Sequence, residues 1–443
     1  MPFSLFSTRR IALFTVIVTI TLSSAWISRT FKVDVDGLTA RIVFKDNKAK
    51  FDARTVLKGP PSTSYKDNLL PTEKYITSWG SSAGWSNDVI SFIHLIYLGQ
   101  QTNRIPILPA HTSTHLPWSV QGQLTFGEVF DIPRLAAALG HPVLEWDDVK
   151  EPNSSEVDKI GCWNIWGPME KQGGAPRDSH RTFQLKLDIS YTPVPDYVLS
   201  TAHHSTFASF PALMTLAWPE TRQRAFESVK TAPSSYSKHV TPPDEHLLCF
   251  DFLYYVGSFM GFEIGVQHSP AWNTVGTHMH WNRALDKIVD QWLLVIFGLP
   301  DGATLPPFIS IHARHTDFND HCDPKKPKAC FPSIDVFKNE VREMKAKVLE
   351  QKGIQVEHVV MTSDETDPAW WTEVTDAGWY IPDHDHLETA DLLGDWYPVL
   401  IDAVIQSRGI GFIGTELSTM SILAQRRVED WQGGVTTLLK LRH

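Results

Sequence analysis

From Phe308 onward, short apolar runs alternate with helical patterns, and this alternation constrains the fold more than any other feature of the chain. Phe308–His312 reads as a strand. Ser333–Gln351 carries Val336, Phe337, Val341, Met344 and Val348 on one helical stripe. Val356–Met361 reads as the next strand, residues 368–377 as helix, and Trp379–Ile381 as a short strand. Residues 395–407 then read as helix, Ile410–Ile413 as strand and Ser418–Asp430 as helix. Strands that alternate with helices pair in parallel, because the crossover helix must pack back on the sheet.

A second block of the same kind begins at Tyr75. Tyr75–Trp79 reads as a strand, and Gly80–Asn87 as a small-residue turn. Val89, Phe92, Ile93, Ile96 and Tyr97 then recur at helical spacing, and Arg104–Leu108 is a strand again. Residues 276–298 read as helix, with Leu285, Ile288, Val289, Trp292 and Leu293 on one stripe. The stretch 110–270 is rich in Pro, His and Trp and reads as loops, short helices and recognition surface. Two such blocks predict an α/β chain of two facing Rossmann-like domains, with ligands at the strand C-terminal ends in the cleft between them. The expected division is a tail and anchor at 1–30, a stem at 31–70, an N-terminal domain at 71–270 and a C-terminal domain at 271–443. The last helix is a candidate to pack back on the N-terminal domain.

Ile11–Ser28 contains no charged side chain and follows Arg9-Arg10. That run just suffices to cross hydrocarbon at about 1.5 Å per residue. It reads as a signal anchor in preference to a cleaved signal peptide, whose apolar core is shorter, although Ser23-Ser24-Ala25 offers a cleavage site. The chain is acidic, with a net charge of −10, so nucleic acid is excluded as a general partner. Any phosphate site must be a few aimed donors. Among four cysteines, Cys322 and Cys330 enclose a short polar loop and can pair. Cys162 and Cys249 can pair only if the fold brings them together, and four buried thiols is the alternative. Asn153-Ser154-Ser155 is a glycosylation acceptor sequence. The sixteen tryptophans have no explanation at this level.

Four constellations carry chemistry. Gly84-Trp85-Ser86-Asn87 opens a helix after a strand, where free N–H groups favour an anion; a plain turn with Asn87 as N-cap is the bland alternative. Ile311-His312-Ala313-Arg314-His315-Thr316-Asp317-Phe318 ends a strand, with His312 and Arg314 on one face and Asp317 in reach of either. Arg suits a phosphate, and a surface salt bridge at a strand end is the alternative. Gly411–Thr419 is a strand entering a helix start with Thr415, Ser418 and Thr419, which can hold a phosphate or simply cap. Ser363-Asp364-Glu365 follows a strand, where Asp364 can accept from a purine's N–H groups or cap a helix.

Taken in order, these motifs resemble the GDP-fucose protein O-fucosyltransferases. The resemblance rests on the Gly84–Asn87 turn with Asn103–Pro109, on His312-Ala313-Arg314 with Asp317-Phe318, on Ser363-Asp364, and on Phe412–Thr415 with Ser418–Ser421. It implies a GT-B fold and transfer from GDP-fucose with inversion at the anomeric carbon and no required metal. Arg314 would contact the β-phosphate, and Gly84, Trp85, Ser86 and Asn87 would face the diphosphate. Asp364 would read guanine, and Thr415, Ser418 and Thr419 would hold phosphate oxygens. The expected acceptor is Ser/Thr of a protein, and the expected setting is the endoplasmic reticulum or Golgi lumen with a type II anchor. The turn Ser82–Asn87 lacks the glutamate that some members use as base, which leaves the base and the acceptor open. A glycan acceptor, another GDP-sugar, or a catalytically silent sugar-nucleotide-binding protein are the alternatives. A Ser/His/Asp hydrolase is the weakest, since nineteen histidines make chance His–Asp neighbours inevitable.

Overall fold

The strands β1 (Tyr75–Ser78), β2 (Ile105–Leu108) and β3 (Leu144–Glu145) line up on one side of a six-stranded sheet. The strands β4 (Asp158–Asn164) and β5 (Leu187–Pro193) lie on the other side. A short separate sheet contains β6 (Leu199–Ala202), β7 (Ser205–Ser209) and, further along the chain, β9 (Val256–Gly257). Between them in sequence, β8 (Leu247–Phe250) enters the large sheet and fixes its order as β3-β2-β1-β8-β4-β5, parallel throughout. The order reverses direction at β1 and β8, so a crevice opens at the C-terminal end of β1. The second half has β10 (Phe308–Ala313), β11 (His358–Ser363), β12 (Gly411–Thr415) and β13 (Val435–Leu439) in the order β11-β10-β12-β13, again parallel. Its reversal falls between β10 and β12.

These coordinates are a computed structural model describing residues 55–80, 83–170, 174–177, 179–202, 204–316, 318, 322 and 330–441. The apolar segment 11–28 and Asp317 lie outside the described residues. Among those residues, no helix is long and apolar enough to cross a membrane.

Two sequence expectations need correction. The stretch 110–270 holds more than loops and short helices: it supplies β3 to β9, including four strands of the large sheet, β3, β4, β5 and β8. Residues 160–164 of β4 are buried throughout, so they lack the in–out alternation that marks a strand. Nor does the stem reach residue 70. Val56, Leu57, Tyr65 and Leu69 are buried against Trp146, Trp79 and Ile107 beneath the large sheet. Ser64 and the Tyr65 amide both bond the buried Asp158 carboxylate, which also receives Lys150 at 2.7 Å. Trp379–Ile381 makes only a bridge, Tyr380 to Val360.

Five helices position the site. α1 (Trp85–Gln101) joins β1 to β2 and is buried on nearly every face, because it lies between its own sheet and the second half. α2 (Arg283–Ile296) leads into the second half. α3 (Ile334–Lys352) covers that sheet and ends on Gly353 at φ 68°. α4 (Tyr397–Arg408) and α5 (Thr419–Arg427) flank β12. α5 contacts both halves: Thr419 reaches α1, and Arg426 bonds Asn273 at 3.0 Å. Arg427 is buried with its guanidinium 4.2 Å from the centre of the Trp281 ring and 5.5 Å from that of Trp431. Burial pushes that guanidinium down to about 9, while the ring faces attract it. Much of the tryptophan content is explained here: Trp79, Trp146, Trp163 and Trp272 are fully buried core side chains.

The cysteines form two disulfides. Cys322 pairs with Cys330, and Cys162 with Cys249 across neighbouring β4 and β8, with Cα atoms 4.5 Å apart. Asn153 is exposed in a turn.

Candidate active site

Both switch points aim at one place. β1 delivers the start of α1, β12 delivers the start of α5, and the two helix starts touch. Ser86 Oγ lies 2.6 Å from Thr419 Oγ1, and Thr419 Oγ1 donates to Asn87 Oδ1 at 2.8 Å. Each helix begins with unpaired N–H groups, so two partially positive termini converge. Gly84 is the N-cap of α1, in extended backbone. Trp85 differs from expectation: its ring is buried and stacks on Trp281 at 6.2 Å, so only its backbone faces the turn.

Arg314 lies just past β10, tied to the end of β12. Its amide donates to Thr415 Oγ1 at 2.9 Å, and that hydroxyl donates to the His312 carbonyl at 3.1 Å. The guanidinium pairs with Asp364 at 3.0 Å, with both side chains about a fifth exposed. Asp364 accepts further from the His315 amide at 2.7 Å and from the Thr316 hydroxyl. Both carboxylate oxygens are thus engaged within the cluster. The observed role of Asp364 is to hold Arg314, and guanine recognition does not follow from this geometry. Next to it, burial alone would raise Glu365, but the Asp367 amide, His315 and the Thr366 amide more than offset this and hold the carboxyl below its ordinary value.

His312 turns inward. Its Nδ1 lies 2.7 Å from Ser421 Oγ, and the same hydroxyl accepts from the Thr415 amide at 3.0 Å. Burial pushes His312 down to about 4, so it is neutral at physiological pH. Ser421 joins β10, β12 and α5 in one bonded unit. It can come so close because position 414 is glycine, where a Cβ would sit 2.8 Å from the Ser421 Cβ. Ser418 caps α5 by accepting from the Ser421 amide at 3.4 Å. His312, Thr415 and Ser418 therefore build the site from behind, while Ser86, Asn87, Thr419 and Arg314 stand at its face.

The acid after Asn87 does not face that point. Asp88 is fully buried and accepts from the Thr112 amide at 2.7 Å and from its hydroxyl at 3.3 Å. A Cβ on Gly80 would lie 2.6 Å from Asp88 Oδ1, so this strut requires glycine there. Gly80-Ser81-Ser82-Ala83-Gly84 also has the Gly-x-Ser-x-Gly spacing of a hydrolase elbow. Ser82 lies outside the described residues, and both glycines have packing reasons, since a Cβ on Gly84 would meet the His115 ring at 3.3 Å. The sequence further holds two Asp-x-Asp triplets, Asp34-Val35-Asp36 and Asp383-His384-Asp385. The first lies outside the described residues. In the second, Asp383 accepts from the His386 amide at 2.9 Å and His384 pairs with Asp402 at 3.1 Å. Among the described residues, no group of three or more His, Cys, Asp or Glu is arranged to hold a metal.

Sequence reasoning missed His111, which lies behind Trp85. It is fully buried among Trp85, Phe92 and Trp396, and among the described residues neither ring nitrogen has a hydrogen-bond partner. Burial pushes it from 6.5 down to about 3. A histidine whose folded value is depressed stays neutral in the fold, so its contribution is complete above 6.5 and is lost as pH falls toward 3. We expect the stability difference between the unaltered protein and His111→Phe to fall by about 1.4 kcal/mol per pH unit below pH 6. Denaturant titrations at several pH values check this; parallel curves for the two proteins would show that His111 is not held neutral.

No family model matches the chain, and no curated protein matches it in sequence. The crystal structure of POFUT1 in its apo form superposes with a TM-score of 0.52 at 14% identity, covering 84% of this chain and 99% of that one. The POFUT1 structures in complex with GDP-fucose and with GDP give TM-scores of 0.52 and 0.53, each at 14% identity and the same coverage. At such identity the likeness is one of fold.

Proposed function

We propose that this chain moves fucose from GDP-fucose to a hydroxyl acceptor, Ser or Thr of a protein in the first instance, with inversion and without a required metal. The observation that carries this is the meeting of two helix starts at Ser86, Asn87 and Thr419, with Arg314 anchored beside them through Thr415. As the bond from the anomeric carbon to GDP lengthens, negative charge grows on the β-phosphate. Oriented N–H groups and one guanidinium, fixed before the reaction, stabilise that charge more in the transition state than in the ground state. Asp364 serves here by orienting Arg314. The fold likeness to POFUT1, which has been crystallised with GDP-fucose and with GDP, supports the choice of donor. Two disulfides and the exposed Asn153 support an oxidising, lumenal setting in the endoplasmic reticulum or Golgi, with residues 11–28 as the anchor.

Calorimetry of the full chain with GDP, GDP-fucose and UDP-sugars, with and without a chelator, tests this. We expect binding selective for guanine nucleotides and unchanged by the chelator. Equal binding of UDP-sugars, or loss of binding on chelation, would overturn it.

A further inference from the structure

His115 belongs to the loop that leaves β2, and this loop runs beside the turn that leads into α1. Ala83 bridges to Ser113, and the Thr114 amide donates to the Ala83 carbonyl at 3.0 Å. The His115 amide donates to Ser113 Oγ at 3.3 Å, which settles the backbone of the loop. The ring then lies against Gly84: both Cδ2 and Nε2 fall 3.3 Å from where a Cβ on that residue would be. His115 is exposed, and among the described residues no group hydrogen-bonds its ring nitrogens. An imidazole with a free nitrogen thus stands at the helix start whose second and third residues, Ser86 and Asn87, meet Thr419 of the other half.

Four other ionisable groups around this point are engaged among the described residues. Asp88 is fixed to Thr112, Asp364 to Arg314, Glu365 to His315 at 2.6 Å, and His312 to Ser421. Glu416, just past β12, has its amide on the Leu439 carbonyl at 2.8 Å, and its carboxylate is the rival base that the test below includes. A hydroxyl acceptor has to lose its proton as it attacks, and the turn lacks a glutamate to take it.

We propose that His115 is the general base of the transfer. The assignment rests on the GDP-fucose reading above. Nε2 takes the proton of the acceptor hydroxyl, and the acceptor oxygen's lone pair forms the new bond to the anomeric carbon of fucose. The bond from that carbon to the β-phosphate oxygen breaks with its electron pair on the oxygen, releasing GDP, and the imidazolium returns its proton to solvent.

The test measures GDP release from GDP-fucose by the full chain with a panel of Ser/Thr peptides and glycans, alongside calorimetry with GDP-fucose. His115→Ala should lower turnover by about 10²–10⁴-fold. Its GDP-fucose affinity should stay within about twofold of the unaltered chain, because the role begins only with the acceptor's proton. Free imidazole should restore part of the lost rate in His115→Ala. His115→Ala that binds donor and turns over within tenfold of the unaltered chain overturns this assignment alone, as does an inactive Glu416→Gln beside an active His115→Ala. An unaltered chain that neither binds GDP-fucose nor releases GDP overturns the functional reading and the base with it.

Discussion

Arg314→Ala is expected to lower fucosyl transfer by about 10²–10³-fold while the protein stays folded. The loss follows from timing. The guanidinium meets a charge that is small in bound GDP-fucose and large when the bond to the sugar is breaking, so its removal acts on turnover more than on donor affinity. The fold survives because little of it depends on this side chain. The Arg314 amide, not its guanidinium, joins β10 to Thr415. Asp364 keeps the His315 amide and the Thr316 hydroxyl after the ion pair is gone. A partly exposed pair of this kind contributes about 0–1 kcal/mol to stability. Arg314→Lys should recover only part of the rate, because an ammonium lacks the planar fork that can serve Asp364 and a phosphate together. Asp364→Asn should fall between the two, with the guanidinium present but less well held. Kinetics with GDP-fucose and an unfolding curve for each variant separate these outcomes. Full activity in folded Arg314→Ala would end the proposed mechanism.

The largest stability effect is expected far from the site, at Lys150. Its ammonium is 1% exposed and lies 2.7 Å from Asp158, which is itself only 4% exposed. The ammonium also donates to the Glu156 carbonyl at 2.8 Å. Asp158 in turn receives Ser64 and the Tyr65 amide, so the pair clasps the 62–65 segment to the first residue of β4. Lys150→Met removes the cation and leaves a carboxylate buried without its counter-charge, at a cost of about 3–5 kcal/mol. The double variant Lys150→Met/Asp158→Leu should regain part of this, since the lone charge is gone. The Ser64 and Tyr65 donors then lose their acceptor, so recovery stays incomplete. Urea titrations of the three proteins give the comparison. A change under 1 kcal/mol in Lys150→Met would mean that residues 55–70 are not clasped in this way.

How much of this could be read beforehand differed sharply between the halves. In the second half, β10, β11 and β12 are apolar and separated by long amphipathic helices, and local pattern alone placed these three to within two residues; β13 was not read, and Trp379–Ile381 is only a bridge. The N-terminal sheet was half hidden. β4 and β5 carry Asp158, Asp188 and Ser190 in buried positions, and those polar groups are acceptable only because distant segments satisfy them. Asp188 depends on Ser237 and Asp158 on Tyr65, pairings that no local window contains. The site shows the same division. Gly84, Asn87, Arg314 and Thr419 were visible because each ends a strand or opens a helix. That the Trp85 ring is buried was not visible, because helical phase near an N-terminus does not say which side the core lies on. The pairing of Asp364 with Arg314 was not visible, because the two follow different strands and only the alignment of β10 with β11 brings them together. Ser421 stood in a recognised motif, but its place between His312 and Thr415 needed three dimensions. His115 had no sequence signal, being one of nineteen histidines in a loop without periodicity.

The central claim is that the Arg314 guanidinium meets the diphosphate of GDP-fucose between the starts of α1 and α5. A crystal structure of the chain with GDP-fucose tests it most directly. The account predicts a β-phosphate oxygen within about 3 Å of an Arg314 nitrogen, with Asn87 and Thr419 turned from each other toward the donor. Nucleotide bound elsewhere on the chain, or bound with Arg314 still turned wholly to Asp364 and out of reach of phosphate, would contradict it.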